Sequence, residues 1–313
     1  MNIDIYEGDC IEQLKRLADQ SINTCITSPP YWGLRNYQED KQFGMEDTPE
    51  EFISNLVDVF REVKRVLRDD GTVWLNLGDT YCGTGHKGNY TDPKHKEGRN
   101  GQKIALNNKI DGLKSKDLVG IPWRVALALQ QDGWYLRQDI IWHKPNPMPE
   151  SVKDRCTKAH EYIFLLSKNK KYYYDNEAIK EDSKYYGKDK RSDKGNIRYE
   201  GKRTSNKDSK AQQSFVTINP KKNKRSVWTV STKPFKGAHF ATFPPELIEP
   251  CILAGCPEGG VVLDPFGGSG TTAVVANNHY RNAVLIELNR SYIAIMKKRL
   301  EEQGSILINI NDK

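Results

Sequence analysis

Apolar residues recur along the chain in short runs that alternate with amphipathic segments of helical period. Residues 3–7, 22–27 and 71–79 form apolar runs bounded by Gly, Asp or Pro, and they predict strands. Between them, residues 10–19 and 48–69 carry apolar side chains at helical spacing. The second helix begins T-P-E-E, which predicts a Thr cap, a Pro in the first turn and a capping-box-like acid.

The same alternation continues toward the C-terminus. Further helices are predicted at 118–132, 244–255, 271–278 and 290–302, and further strands at 135–143, 161–167, 261–264 and 283–288. A polar stretch at 82–116, rich in Gly, Asn and Lys, predicts a long loop. Strands that alternate with helices predict a doubly wound α/β sheet of Rossmann-like type.

Composition agrees with a globular protein that carries polar insertions. The 313 residues are 37% apolar and 28% charged, which suits one large domain or two of ordinary size. No apolar run approaches the ~20 residues of a membrane span, and the N-terminus lacks the basic and then apolar layout of a signal peptide. We therefore expect an intracellular, cytoplasmic protein. The six cysteines form no C-x-x-C pair, so no metal site is expected.

Positive charge is concentrated in one segment. The net charge is +7, and residues 181–225 alone hold 14 Lys or Arg against 6 Asp or Glu. This excess lies in an insertion at 176–228, which divides a main domain, 1–175 with 229–313, into two parts. A local basic insertion indicates a polyanionic partner such as nucleic acid, and the alternative is a solvated loop.

A glycine-rich turn, D-P-F-G-G-S-G-T-T at 264–272, separates a predicted strand from a predicted helix. An α/β sheet binds nucleotide-like ligands at such turns. G-S-G-T-T-A fits the G-x-G-x-x-A fingerprint, and Glu287 ends the next strand at a suitable distance to accept ribose hydroxyls. The turn is not a Walker loop, because no G-K-[ST] follows. A dehydrogenase and a purely structural turn both remain open at this point.

The position of this turn in the chain predicts a circular permutation. About 50 residues follow Asp264, so the remaining strands of a nucleotide-binding sheet must come from the N-terminal half. In that arrangement Gly270, Glu287, Asp9 and Ser28 lie at the carboxyl ends of neighbouring strands and share one crevice.

The second unusual stretch is T-S-P-P-Y-W at 27–32. Two prolines end a strand and remove two backbone donors, beside a hydroxyl and two large aromatic side chains. This corner, considered alone, is either a turn or a site.

Together, T-S-P-P-Y-W and D-P-F-G-G-S-G-T-T resemble the β group of amino-methylating DNA methyltransferases. In that family the catalytic tetrapeptide comes first, a variable target-recognition region follows, and the S-adenosylmethionine loop comes last. The resemblance covers nearly the whole chain except the variable insertion, so 176–228 is expected to recognise the target.

The resemblance implies roles for individual residues. Ser28, Pro29, Pro30 and Tyr31 match the catalytic tetrapeptide. The expected cofactor-binding residues are Asp9, Thr242, Asp264, Phe266, Gly268, Gly270, Thr271 and Glu287. The expected DNA contacts are Trp32, Arg35, Lys144, Lys221, Lys222, Lys224 and Arg225. Thr242 lies in H-F-A-T-F-P (239–244), similar to a segment that helps to hold the methionine moiety, and Lys144 lies in D-I-I-W-H-K-P-N (139–146), similar to a segment near the target base. Trp32 has the alternative of packing in the core.

The chemistry explains why such a site would use S-P-P-Y. The nucleophile is an exocyclic amine whose lone pair is delocalised into the base. Hydrogen bonds from its N–H groups to the Ser28 hydroxyl and the Pro29 carbonyl would localise that pair, and neither proline has a competing N–H. Tyr31 would stack on a base flipped out of the duplex.

Ser28 also bears on the target base. In this family a Ser at the first position usually accompanies methylation of cytosine at N4, whereas Asp or Asn usually accompanies adenine N6, which stays the alternative. Cytosine C5 methylation would need a nucleophilic Cys, and Cys251, after Pro250 in an apolar helix, is expected in the core. The expected partners are double-stranded DNA and a cognate restriction endonuclease, and binding to DNA would place the protein at the nucleoid.

Overall fold

The computed structural model describes residues 1–33, 42–83, 110–183, 220–232, 243–304 and 307–311. Its strands are β1 (Asn2–Glu7), β2 (Ile22–Thr27), β3 (Leu67–Leu77), β4 (Tyr135–His143), β5 (His160–Ser167), β6 (Glu181–Asp182), β7 (Lys221–Lys222), β8 (Val227–Thr229), β9 (Val261–Asp264), β10 (Asn282–Glu287) and β11 (Leu307–Asn311). Its helices are α1 (Cys10–Leu14), α2 (Pro49–Val66), α3 (Ile121–Gln131), α4 (Pro245–Gly255), α5 (Thr271–Asn278) and α6 (Arg290–Glu301).

The described residues divide into two compact units. The larger unit comprises 1–175 and 226–313, and the smaller comprises 176–225. The larger unit contains a nine-stranded sheet in the order β11-β1-β10-β9-β2-β3-β5-β4-β8. The smaller unit contains the two-residue strands β6 and β7, which pair antiparallel.

The large sheet is mostly parallel. Strands β11, β1, β10, β9, β2 and β3 run parallel to one another, whereas β5 runs antiparallel to both β3 and β4. Strands from the C-terminal part, β9 and β10, lie between β1 and β2 from the N-terminal part. The α/β fold and the permuted strand order are therefore confirmed.

Helix α2 shows how the pattern of apolar residues determines the packing. Thr48 caps the helix, with its hydroxyl accepting from the backbone N–H of Glu51 (3.2 Å), and Pro49 occupies the first turn. The apolar face is fully buried, including Phe52 and Phe60. A stripe at this spacing must be covered by a neighbouring layer, and here it belongs to the core under β2 and β3.

Some predicted boundaries were wrong. Helix α1 ends at Leu14 rather than residue 19, and the chain turns back at Gln20, where φ is +53°. Strand β3 starts at Leu67, four residues early, because Leu67 pairs with Ile22 across a register shift. Residues 227–229 form β8 beside β4 in the main sheet, although the sequence placed 227 and 228 in the insertion. No strand was predicted at β11.

Among the described helices, none combines the length and the hydropathy needed to cross a bilayer.

Candidate active site

The carboxyl ends of four neighbouring parallel strands form the edge at which the candidate site lies. In sheet order, β1, β10, β9 and β2 end at Glu7, Glu287, Asp264 and Thr27. The ends of β1 and β10 are joined by a hydrogen bond, in which the N–H of Gly8 donates to the carbonyl of Glu287 (3.0 Å). Open α/β sheets bind ligands outside the carboxyl ends of their strands. The loops that follow these four strands therefore form the candidate active site.

Asp264, at the end of β9, organises the glycine loop. Its Oδ1 accepts from the hydroxyl of Thr27 (2.7 Å) and from the N–H of Phe266 (3.1 Å), and its Oδ2 accepts from the hydroxyl of Thr272 (2.6 Å). Burial raises the pKa of Asp264, and these three donors oppose the shift. The carboxylate thus bonds to protein donors, and it joins the glycine loop to the end of β2.

Glycine is required at position 270 by the protein itself. Gly270 precedes α5 with φ +79°, in the left-handed region that strongly favours glycine. A Cβ at this position would collide with Cγ of Met296 on α6. Gly268 also has positive φ, +51°. The loop is consequently folded tightly against α6, whatever it binds.

Arg299 holds the same loop from the far end of α6. Its Nη1 donates to the carbonyl oxygen (2.6 Å) and the Oγ (2.8 Å) of Ser269, and to Oγ1 of the buried Thr271 (3.3 Å). Burial lowers the pKa of Arg299, because the charged guanidinium is partly removed from water. Sequence motifs do not reveal this residue, since α6 offers no motif beyond its apolar stripe.

Glu287 places a carboxylate beside the glycine loop. Its Oε2 accepts from the N–H of Gly268 (2.7 Å) and its Oε1 from the N–H of Asn289 (2.9 Å). Burial raises the pKa of Glu287 to about 7, although the two backbone donors lower it.

Asp9 lies two residues after β1, whose last residue, Glu7, pairs with Glu287 at the end of β10. Its Oδ1 accepts from the N–H groups of Ile11 and Glu12, both at 3.0 Å, and so caps α1. Asp9 thus follows β1 and Glu287 ends the neighbouring strand β10, as the permuted order requires.

The S-P-P-Y corner follows β2 directly. Pro29 is buried, whereas Ser28 and Tyr31 are half-buried. Beyond the corner, the rings of Phe43 and Phe266 meet edge to face, with centroids 5.4 Å apart. This contact is a second connection, besides Thr27 to Asp264, between the corner and the glycine loop.

Tyr31 is held at both its hydroxyl and its ring. The hydroxyl donates to Oε2 of Glu161 (2.8 Å), lies 3.1 Å from Oδ1 of Asn76, and is 3.4 Å from Oγ of Ser28. One side of the ring rests on Gly78, where a Cβ would lie 2.5 Å from Cε2 of the tyrosine. No pattern in the sequence indicated that a carboxylate on β5 would meet this ring.

Lys144 pairs with that carboxylate. Its Nζ forms an ion pair with Oε1 of Glu161 and lies 4.2 Å from the ring centroid of Trp142. Both charged side chains are largely buried, with 17% and 14% of their surface exposed. Lys144 was predicted to contact DNA, and the structure adds a protein partner that the sequence did not indicate.

Lys158 is a buried cation close to the same corner. Among the described residues its Nζ has no hydrogen-bond partner, and the nearby charges include Asp79, Glu161 and Lys144. Burial lowers the pKa of Lys158 more than three nearby acids, Asp79, Glu161 and Glu150, raise it. Asp79 is engaged elsewhere, because its Oδ1 accepts from the N–H groups at the start of α3.

The structure favours packing over DNA contact for Trp32. The side chain is 4% exposed, belongs to the core, and donates its indole N–H to the carbonyl of Glu46 (2.9 Å). Because the indole ring is covered by the core, a nucleic-acid base cannot stack on it. Arg35 and Thr242, predicted to contact DNA and cofactor, lie outside the described residues.

The basic cluster of the smaller unit surrounds one acid. Nitrogens of Lys222, Lys224 and Arg225 lie 3.7, 3.7 and 3.4 Å from carboxylate oxygens of Glu181. Lys221 lies 3.7 Å from Asp182. The side chains of Lys221 and Arg225 are 60% and 68% exposed, whereas those of Lys222 and Lys224 are 31% and 22% exposed. The two exposed cations are thus better placed to meet a polyanion.

Two other observations concern the cysteine of α4 and clusters of metal-binding side chains. Cys251 is buried in α4 with its Sγ 3.8 Å from the carbonyl of Leu247, so its expected place in the core is confirmed. Within the described ranges, no three His, Cys, Asp or Glu side chains are grouped to hold a metal ion.

The residues at the sheet edge suit S-adenosylmethionine. A carboxylate on Glu287 can accept ribose hydroxyls, and it already accepts two N–H donors in the same place. The positive-φ glycines bring backbone close to any ligand in the loop. The fold and this edge together define a nucleotide-cofactor enzyme of the α/β class.

Comparison with known proteins identifies the class more closely. A family model described as DNA methylase, for the N6 and N4 methyltransferases, matches residues 22–298. The chain is 47% identical over 306 residues to the Type II methyltransferase M.Cfr9I of Citrobacter freundii, covering 98% of this chain and 90% of that protein. It is 47% identical over 297 residues to the Type II methyltransferase M.SmaI of Serratia marcescens, covering 95% and 90%. The chain therefore belongs to the N6/N4 DNA methylase family, and it is an S-adenosylmethionine-dependent DNA methyltransferase.

Solved structures show the same fold. The PvuII DNA methyltransferase, described as cytosine-N4-specific, superposes with a TM-score of 0.63 at 18% identity, covering 99% of this chain and 95% of that one. A putative DNA modification methylase from Thermus thermophilus, complexed with S-adenosyl-L-methionine, gives 0.63 at 21% identity, covering 99% and 98%. The dehydrogenase alternative receives no support.

Proposed function

We propose that the protein methylates the exocyclic N4 amine of a cytosine flipped out of double-stranded DNA. One observation carries this proposal: Ser28 and Pro29 follow β2, the strand beside the glycine loop, and Thr27 is bonded to Asp264 at 2.7 Å. An amine held at the corner would therefore lie beside the bound cofactor.

The corner would act by accepting hydrogen bonds. A hydroxyl oxygen at Ser28 and a carbonyl oxygen at Pro29 accept from the two N–H bonds of the amine, which localises its lone pair and directs it. When bound, S-adenosylmethionine supplies the methyl group as an electrophilic carbon on sulfur. Ser28 and Pro29 would hold the nitrogen facing that carbon, and the amine would release one proton to water once it is methylated. Alignment at ~3–3.5 Å would contribute much of the rate.

Tyr31 is the proposed stacking surface for the flipped base. Its ring is fixed by Gly78 on one side and by the hydroxyl contacts at its tip. The base would stack on the side away from Gly78, and such stacking is worth ~1–3 kcal/mol. A ring that is already fixed loses little conformational freedom when the base enters.

The cofactor would lie along the loops after β9, β10 and β1. We propose that Glu287 accepts ribose hydroxyls, that Asp9 lies near the adenine amino group, and that Phe266, Gly268 and Gly270 line the methionine part. Asp264 and Thr271 would act by shaping the loop, because their polar atoms already bond to protein groups.

Ser28 supports cytosine over adenine. The β-group pattern associates Ser with N4 methylation, and the PvuII enzyme that shares this fold is described as cytosine-N4-specific. Adenine N6 is the second candidate, because the same acceptors suit either amine.

DNA is the proposed macromolecular partner. We expect it to contact the smaller unit, 176–225, and the residues around the S-P-P-Y corner. The similar proteins are named Type II methyltransferases, which supports a cognate restriction endonuclease as a second partner.

The test is to incubate the purified protein with methyl-labelled cofactor and unmodified plasmid DNA, and then to digest the DNA to nucleosides. Label in N4-methylcytosine is expected. Label confined to N6-methyladenine would overturn the base assignment, and label in 5-methylcytosine would overturn the acceptor mechanism as well.

A further inference from the structure

In the proposed reaction, the Ser28 hydroxyl must accept a hydrogen bond from the amine, so the direction of its own proton matters. A hydroxyl can donate or accept a hydrogen bond, whereas a carboxylate at this position could only accept. The amine must donate to Ser28, so the proton of Ser28 has to point elsewhere. This question rests on the proposed transfer to an exocyclic amine, and it is the same for cytosine and adenine.

The tyrosine hydroxyl offers a place for that proton. Oη of Tyr31 lies 3.4 Å from Oγ of Ser28, and two acceptors for its own proton lie on other sides: Oε2 of Glu161 at 2.8 Å, which is nearer and charged, and Oδ1 of Asn76 at 3.1 Å. A hydroxyl has a single proton, so an Oη that donates to Glu161 presents a lone pair toward Ser28. The 3.4 Å separation is long for a hydroxyl pair, and catalytic hydrogen bonds are often long before substrate binds.

The carboxylate that receives the tyrosine proton is itself fixed. Lys144 forms an ion pair with Oε1 of Glu161, and Nδ2 of Asn76 lies 3.4 Å from Oε2. Nδ2 of Asn76 also donates to the carbonyl of Tyr162 (3.0 Å), which orients the amide. Glu161 is thus held as an acceptor, with its remaining oxygen committed to a cation.

We propose that Glu161 is a positioning residue that acts on Ser28 through the hydroxyl of Tyr31. The chain of donors runs from Ser28 to Tyr31 to Glu161, and Lys144 anchors its end. Each proton points away from the substrate, so Oγ of Ser28 presents only lone pairs to the amine. In this arrangement the tyrosine hydroxyl has a role separate from the stacking of its ring.

Two conservative variants test the chain of donors. Tyr31→Phe keeps the ring and removes the hydroxyl, and Glu161→Gln keeps the shape and removes the charge. The measurement is the single-turnover rate of methylation, at saturating cofactor, on unmodified plasmid DNA whose sites have been mapped by sequencing. Each variant is expected to slow transfer about tenfold or more, as for loss of a hydrogen bond to a charged group. The double variant is expected to be no slower than the worse single variant.

The alternative is that Glu161 only holds the ring of Tyr31 in place. Variants made in Ser28→Ala distinguish this alternative from the proposal. In Ser28→Ala the hydroxyl that the chain orients is absent, so adding Glu161→Gln is expected to cause no further loss of rate. A persistent loss in that background, or additive losses in the Tyr31 and Glu161 double variant, would overturn the proposal. So would full activity of Glu161→Gln.

Binding and unfolding measurements distinguish a slower methyl transfer from weaker binding or a loss of folding. Dissociation constants for DNA and cofactor are expected to change less than twofold, and thermal unfolding reports folding. Glu62→Gln, which breaks another partly buried ion pair, with Arg65 at 2.9 Å, is the matched control and is expected to methylate at the wild-type rate. Digestion of the product to nucleosides identifies the base. N6-methyladenine would refute the proposed base alone, whereas an inactive wild type would refute the proposed function itself.

Discussion

Glu287 and Gly268 are joined by a 2.7 Å hydrogen bond from the glycine N–H to the carboxylate, so the last residue of β10 is bonded directly to the loop after β9. Burial of this acid raises its pKa to about 7. The group proposed to hold the cofactor ribose is thus expected to change its charge near neutral pH.

Cofactor affinity should therefore depend on pH. Ribose hydroxyls donate to the ionised carboxylate, so binding is strongest above the pKa of Glu287 and weakens as pH falls through it. Titration calorimetry with S-adenosylmethionine is expected to give a dissociation constant about tenfold larger at pH 6 than at pH 8, from linkage to one proton. Glu287→Gln should bind weakly at pH 8 and lose this dependence. Equal wild-type affinities at pH 6 and pH 8 would contradict the assignment.

Two glycines with similar backbone angles should respond differently to alanine. Gly270 (φ +79°) would place a Cβ against the side chain of Met296, whereas Gly259 (φ +74°) would place one in open space. Gly259→Ala should cost about 1–2 kcal/mol of stability, from the left-handed conformation alone. Gly270→Ala should cost more, and it should also weaken cofactor binding because the loop must shift. Chemical denaturation measures the free energy of unfolding of both variants. Equal losses of stability would show that α6 can adjust to a Cβ at position 270.

Much of the fold follows from the sequence, for physical reasons visible in particular elements. Helix α2 was predicted closely because Thr48, Pro49 and an apolar stripe all indicate the same helix. Strands β8 and β11 were missed because three and five residues at a sheet edge carry little periodic signal. The network at the site was missed as well. Glu161 and Arg299 act through tertiary contacts, and no local pattern identifies a charge that will be covered by another element.

Arg299 should be needed for an ordered cofactor loop. Arg299→Met removes three hydrogen bonds to Ser269 and Thr271 and leaves the carbonyl of Ser269 without this donor. The expected result is a loss of about 1–3 kcal/mol in the free energy of unfolding and weaker cofactor binding. Lys298→Met, at an exposed position of the same helical turn, is the control and should leave both unchanged. Cofactor affinity retained in Arg299→Met would mean that the loop does not depend on this contact.

The basic cluster of the smaller unit should contribute to DNA affinity and not to cofactor affinity. Replacing Lys221, Lys222, Lys224 and Arg225 by Gln should weaken DNA binding and flatten its salt dependence, by about 0.9 in logarithmic slope for each phosphate that is no longer neutralised. Calorimetry with the cofactor should give the wild-type value. Gln substitution of four exposed lysines of the larger unit, Lys15, Lys171, Lys297 and Lys298, controls for the same change in net charge. Unchanged DNA affinity at low salt would remove this cluster from the interface.

In the proposed reaction, the S-P-P-Y corner holds a cytosine amine beside the cofactor loop. Modified-base sequencing of DNA from cells that express the wild-type protein decides this assignment, since it reports the base and the sequence site together. We expect N4-methylcytosine at one short recognition sequence, and strong loss of that mark in cells that express Ser28→Ala. N6-methyladenine at the site, or full methylation by Ser28→Ala, would contradict it.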